Sequence, residues 1–181
     1  MSHLNVEIKA RCSDTETFEK TLWSLGADFH GVDHQVDTYF RVSHGRLKLR
    51  EGNIENALIH YAREDDSGAP KKSHVTLYQL GERASELKNI LSNSIGILVV
   101  VDKHRKIFFI DNVKFHIDTV EHLGTFVEIE AMDHLGDSGP FEFEHLKTQC
   151  DQYLEALQIR KIDLISHSYS DMILEVDRDH S

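Results

Sequence analysis

The stretch Leu4-Asn5-Val6-Glu7-Ile8-Lys9-Ala10-Arg11 constrains the fold more than any other. Alternate residues of a strand point to opposite faces. One face here is Leu4, Val6, Ile8 and Ala10; the other is Asn5, Glu7, Lys9 and Arg11. A single exposed strand would read the same way, but the device recurs. Arg46, Lys48 and Arg50 alternate with Leu47 and Leu49, and Arg63, Lys103, Arg105, Glu128 and Glu130 fall on later strands. Charges of both signs on one face of many strands predict a closed sheet with a polar interior.

Periodicity and turn residues place the other elements. Ser13 and Glu16 read as a capping box opening a helix that carries Phe18, Leu22 and Leu25 and stops at Gly26. Strands are predicted over 34–42, 46–51, 57–64, 71–80, 97–110, 113–121 and 125–132. Helices are predicted over 82–95, with Leu87, Ile90 and Leu91 as its stripe, over 141–157, with Phe143, Leu146, Cys150, Tyr153, Leu154 and Leu157, and over 163–176. Residues 65–70 and 136–140 are loops by composition. Short turns favour antiparallel pairing, and closure removes exposed edges. The expected class is α+β: an eight-stranded antiparallel β-barrel with helices packed outside. One domain is expected over 1–176, with a frayed tail over 177–181.

The formal net charge of −11 argues against general binding to nucleic acid or to anionic membranes, though not against a local basic pocket. The longest apolar run, Ile95 to Val101, is too short to span a bilayer. Cys12 and Cys150 lack CxxC spacing and no secretory leader precedes them, so reduced thiols in a cytoplasmic protein are expected.

The strands concentrate cations: Lys9, Arg11, Arg46, Lys48, Arg50, Arg63, Lys103 and Arg105. Arginine forks and lysine point charges suit phosphate oxygens. Glu7, Glu128 and Glu130 are hard oxygen ligands for Mg²⁺ or Mn²⁺, and Asp118 is a further ligand or base. A lining of cations with a patch of carboxylates is what a metal-bound polyphosphate needs. The plain alternative is a set of solvated faces and cross-strand ion pairs. Other constellations are poorer. His30 and His34 have helical metal spacing in a non-helical stretch, and His60, His74, His104, His116 and His122 are scattered over strands. His167 and Ser168 lack a nucleophile elbow, and no P-loop is present.

The chain resembles the CYTH superfamily of triphosphate tunnel enzymes, which includes class IV adenylyl cyclases, thiamine triphosphatases and inorganic triphosphatases. The family's N-terminal Glu-x-Glu-x-Lys is matched by Asn5-Val6-Glu7-Ile8-Lys9, with Asn5 in place of the first glutamate. Asp37-x-Tyr39-Phe40, Arg46-x-Lys48-x-Arg50-Glu51, Tyr61-x-Arg63, Lys103-x-Arg105, Asp118, Glu128-x-Glu130 and Ser168-Tyr169-x-Asp171 follow in the family's order.

The resemblance implies a tunnel that binds a triphosphate such as ATP, thiamine triphosphate or tripolyphosphate. It implies phosphate contacts from Lys9, Arg11, Arg46, Lys48, Arg50, Arg63, Lys103 and Arg105. Lys72 joins them from the cyclase-like segment Pro70-Lys71-Lys72-Ser73, where Lys71 or Lys72 would reach the tunnel mouth. Lys9, Arg63, Lys103 and Asp118 are the implied catalytic groups. Glu7, Glu128, Glu130, Asp118 and Asn5 are the implied ligands of Mg²⁺ or Mn²⁺. An amide at position 5 offers an oxygen without a charge. A class IV adenylyl cyclase-like activity is the favoured expectation, with a triphosphatase or a non-catalytic polyphosphate binder as alternatives. A protein that merely shares the fold ranks last, because unpaired cations would destabilise a closed barrel. A homodimer is expected from resemblance only.

Overall fold

A computed structural model of the chain describes residues 2–63, 71–81, 83–133 and 142–179. The described residues form eight strands: β1 (Ser2–Arg11), β2 (Asp28–Phe40), β3 (Arg46–Glu51), β4 (Ala57–Arg63), β5 (Lys71–Gln79), β6 (Ile97–Ile110), β7 (Val113–Val120) and β8 (Gly124–Met132). Among the described residues four α-helices accompany them: α1 (Thr15–Ser24), α2 (Ala84–Ile95), α3 (Phe143–Ala156) and α4 (Tyr169–Asp179). The predicted loops over 65–70 and 136–140 lie outside the described residues.

The strands close into a ring in the order β1-β5-β4-β3-β2-β6-β7-β8, all pairs antiparallel, with β8 back on β1. The meander β2-β3-β4-β5 forms one half, the meander β6-β7-β8 most of the other, and β1 joins the two. Strand parity then does the sorting. Val6, Ile8 and Ala10 of β1, Phe115 and Ile117 of β7, and Val127, Ile129 and Ala131 of β8 face outward into one apolar core. Phe18 and Leu22 of α1 and Leu146 and Cys150 of α3 cover them. Each side chain of that size buried this way contributes about 1.5–3 kcal/mol. The opposite parity of the same strands faces the interior.

The element boundaries differ from the predicted ones where a local device intervenes. The α1 cap is Asp14, one residue after Ser13: its carboxylate accepts from Thr17 N at 3.0 Å. Strand β2 begins at Asp28, well before position 34, because Gly31 (φ +125°) makes a bulge that reverses the alternation. A Cβ at Gly31 would come within 3.0 Å of Ile54. Of the α2 stripe, Leu87 and Leu91 are half-buried while Ile90 is exposed. The last helix starts at Tyr169, six residues later than predicted, because Ser168 and Asp171 form the capping pair: Asp171 N donates to Ser168 Oγ at 3.2 Å, and Ser168 N to Asp171 at 3.1 Å. That helix runs on to Asp179 through part of the stretch expected to fray. Its Tyr169 and Met172 pack against Val101, Val120 and Phe126, plugging one end of the ring.

Candidate active site

The interior of the ring is a cavity of about 310 Å³. Its two sides differ in chemistry. Strands β4 and β5 contribute Ala57, Ile59, Tyr61, Val75 and Leu77, an apolar wall. Among the described residues, the rest supplies six cations (Lys9, Lys48, Arg50, Lys103, Arg105, Lys114) and five carboxylates (Glu7, Asp37, Glu55, Glu128, Glu130).

Asp37 is the hub of one network. It accepts from Lys48 at 2.8 Å, from Arg50 Nε at 2.7 Å and from Lys103 at 2.8 Å. Burial acts to raise its pKa, but Arg50, Lys103 and Lys48 outweigh burial and hold it well below the usual carboxylate range. Lys103, buried among Arg50, Arg105 and Lys48, is pushed down to about 7 by burial first and by those cations, against the pull of Asp37. Glu55 links this network to the next. It accepts from Arg50 at 2.6 Å, from Gln35 at 3.0 Å and from Lys114.

The second network surrounds Arg105. Its fork reaches Asp118 at 2.7 and 2.5 Å and Glu128 at 2.6 Å. Tyr169 donates its hydroxyl to Asp118 at 2.8 Å, and Lys9 lies 3.1 Å from Glu128 and 3.4 Å from Glu7. His116 Nδ1 lies 3.0 Å from Glu128. A carboxylate can only accept here, so Nδ1 carries the proton. Its Nε2 is buried without a partner among the described residues. Burial, then Arg105, drives the His116 pKa down to about 4.

The third group is Asn5, Glu7 and Glu130. Asn5 donates its amide to Glu130, and its Oδ1 is buried with no hydrogen-bond partner among the described residues. Burial raises the Glu130 pKa, and Glu7 and Glu128 raise it further against Lys114. A carboxylate cluster with one member pushed towards neutrality and an orphaned amide oxygen beside it fits a hard divalent cation. Asn5, Glu7, Glu128 and Glu130 are the residues present that suit Mg²⁺ or Mn²⁺.

The remaining residues singled out in the sequence are placed as follows. Asp118 is buried and engaged by Arg105 and Tyr169, not exposed on the cavity wall. Arg46 grips the start of α4, donating to both Asp171 oxygens at 2.8 and 2.9 Å and to Ser168 and Ser170. Arg11 is exposed, over the Phe126 ring, and donates to Leu123 O at 3.2 Å. Lys72 opposes Val6, shares its outward parity and sits over the Phe143 ring. The side chains of Arg63 and Lys71 lie outside the described residues.

Glu55 and Lys114 belong to none of the motifs read in the sequence, where His116 counts only among the scattered histidines. Lys114, His116 and Asp118 alternate with Val113, Phe115 and Ile117 on β7, the same signal that identified β1. Glu55 comes from a turn and carries no periodic signal. The supposedly scattered histidines are not all scattered, since His34 and His104 face each other beside Asp102 on the outer wall.

A ring of eight antiparallel strands encloses paired cations and carboxylates. The CYTH domain model matches residues 3–169. The chain belongs to the CYTH domain family. Comparison with curated proteins gives no significant match. Among solved structures, a Pyrococcus horikoshii protein superposes with a TM-score of 0.73 at 23% identity, covering 92% of this chain and 98% of that one. A Vibrio parahaemolyticus protein described as a candidate adenylate cyclase gives 0.73 at 15% identity, covering 96% and 99%. A Hippeastrum protein described as a candidate adenylyl cyclase with a dominant triphosphatase activity gives 0.58 at 13%, covering 92% of each chain. At these identities the likeness establishes the fold of this CYTH domain.

Proposed function

We propose that this CYTH protein is a divalent-metal-dependent enzyme that cleaves the phosphoanhydride chain of an organic triphosphate. The observation that carries this reading is the two-sided cavity. The charged wall suits a polyphosphate with its metal, and the apolar wall of Ala57, Ile59, Val75 and Leu77 suits the organic group attached to it. Inorganic tripolyphosphate has nothing to place there.

Lys9, Lys48, Arg50 and Arg105 are the proposed phosphate contacts. Asn5, Glu7, Glu128 and Glu130 would hold Mg²⁺ or Mn²⁺, which neutralises phosphate charge when bound. Binding requires the cations to exchange carboxylate partners for phosphate oxygens. Lys103, with a pKa near neutrality, is the proposed proton acceptor from the attacking hydroxyl or water. Arg63 keeps the role implied by family likeness, whereas Asp118 acts by fixing Arg105 in place of serving as a base or metal ligand.

The same arrangement serves two reactions. A cyclase directs the ribose 3′-hydroxyl onto the α-phosphate and releases pyrophosphate; a triphosphatase directs water onto the terminal phosphate. The cyclase is the favoured reading. The test is product analysis after incubation with ATP, thiamine triphosphate and tripolyphosphate in Mg²⁺ or Mn²⁺, using wild type and Lys103→Arg. The expected result is faster turnover of an organic triphosphate than of tripolyphosphate, with turnover about 100-fold slower in Lys103→Arg. Cyclic AMP with pyrophosphate identifies the cyclase and orthophosphate the hydrolase. Preference for tripolyphosphate would contradict the role given to the apolar wall.

A further inference from the structure

We propose that the outer wall of the barrel carries a transition-metal site built from His34, Asp102 and His104, taking a late first-row divalent ion of the Zn²⁺ type. The site is independent of the tunnel chemistry. His34 and His104 stand directly opposite each other in the β2–β6 ladder, and Asp102 lies two residues before His104 on the same face. Lys103 and Arg105 have the opposite parity and line the cavity. The three side chains are therefore separated from the tunnel by the sheet itself.

The donor atoms are already gathered. One ligand atom from each residue lies within 4.8 Å of the others. His34 Nε2 is 2.8 Å from Asp102 Oδ1, and the two imidazoles are parallel, with centroids 4.4 Å apart and planes 5° apart. Tetrahedral Zn²⁺ holds nitrogen and oxygen ligands at about 2.0–2.1 Å, which sets neighbouring ligand atoms about 3.3 Å apart. Rotation about the histidine side-chain bonds closes that difference. The backbone beneath need not move, because it belongs to a ladder running from Asp28↔Phe109 to Phe40↔Ile97.

Solvent access fits an ion with an open fourth position. The His34 and Asp102 side chains are 42% and 36% exposed, and His104 is exposed. Two imidazoles and one carboxylate select Zn²⁺, Co²⁺, Ni²⁺ or Cu²⁺ over Mg²⁺. The tunnel cluster of carboxylates and an amide has the reverse preference. One chain would then sort two classes of metal between its inner and outer walls. The competing account is a His34–Asp102 ion pair beside a second histidine, with no metal.

The experiment uses the full chain in excess Mg²⁺, which occupies oxygen-donor sites. Co²⁺ is titrated by visible absorption and Zn²⁺ by calorimetry, for wild type, His34→Ala, His104→Ala, Asp102→Asn and Glu130→Gln, with folding checked by circular dichroism. The expected result is one tight equivalent of Zn²⁺ and the absorption of tetrahedral Co²⁺ in wild type and in Glu130→Gln. Each outer-wall variant should weaken Zn²⁺ by about tenfold or more. The proposal fails if wild type binds no Zn²⁺, if His104→Ala binds it as tightly as wild type, or if Glu130→Gln abolishes it.

Discussion

At the scale of single residues, Asn5 is the sharpest departure from the family pattern and also the most informative. Its inward position beside Glu130 follows from the parity it shares with Glu7 and Lys9. Its buried, unpartnered Oδ1 marks where another ligand oxygen already points. Asn5→Glu should therefore tighten Mn²⁺ or Mg²⁺ binding. Without metal it should lower stability, because a further carboxylate joins Glu7 and the already raised Glu130. Calorimetric metal titration reads the first effect and thermal unfolding in chelator the second. Identical metal affinity in the two proteins would remove Asn5 from the metal shell.

His116 makes a separate claim at this scale. Its pKa falls from 6.5 to about 4 on folding. Between those values the unfolded chain binds the proton and the folded one does not, so stability is lost as pH falls from 6.5 towards 4. His116→Gln should flatten that part of the stability profile. Asp37, Glu55 and Glu128 are held low and act at lower pH, while the raised Glu130 acts in the opposite sense. The comparison that decides is the slope of unfolding free energy against pH in wild type and variant. Equal slopes would show that His116 carries no such linkage.

At the scale of elements, alternation made the strands legible and hid what interrupts alternation. The limits of β6 follow directly from its residues, whereas the alternation that marks β2 begins only at position 34 because Gly31 shifts its phase. The stripe Leu146, Cys150, Leu157 placed α3 correctly on the sheet. Helix α4 starts later than the predicted position 163 because its cap, Ser168 with Asp171, lies inside the predicted span. Arg46, expected at the phosphates, belongs to the same cap. Its side chain ties β3 to α4 through Ser168, Ser170 and Asp171. Arg46→Ala should cost about 1–3 kcal/mol and speed amide exchange in α4 before the rest of the barrel. Uniform exchange across the molecule would argue that α4 is held by packing of Tyr169 and Met172 alone.

At the scale of the whole molecule, the sequence revealed a polar interior but not its balance. Counting strand cations suggested a tunnel that needs an anion. Among the described residues, the six cavity cations are instead matched by five cavity carboxylates, with Asp118 buried against Arg105. Glu55 from a turn and Lys114 complete this arrangement, and neither was picked out by the motifs. The barrel is thus stable in charge terms without a ligand, so closure alone is no argument for one. A bare triphosphate would meet carboxylates as well as cations, whereas a triphosphate accompanied by divalent metal brings charge for both.

The most direct test is calorimetric titration of wild-type protein with a non-hydrolysable ATP analogue, once in excess Mg²⁺ and once in chelator at matched ionic strength. The balanced tunnel predicts binding with Mg²⁺ that is tighter by about tenfold or more, a gain of about 1.4 kcal/mol. Equal affinity in chelator would contradict it.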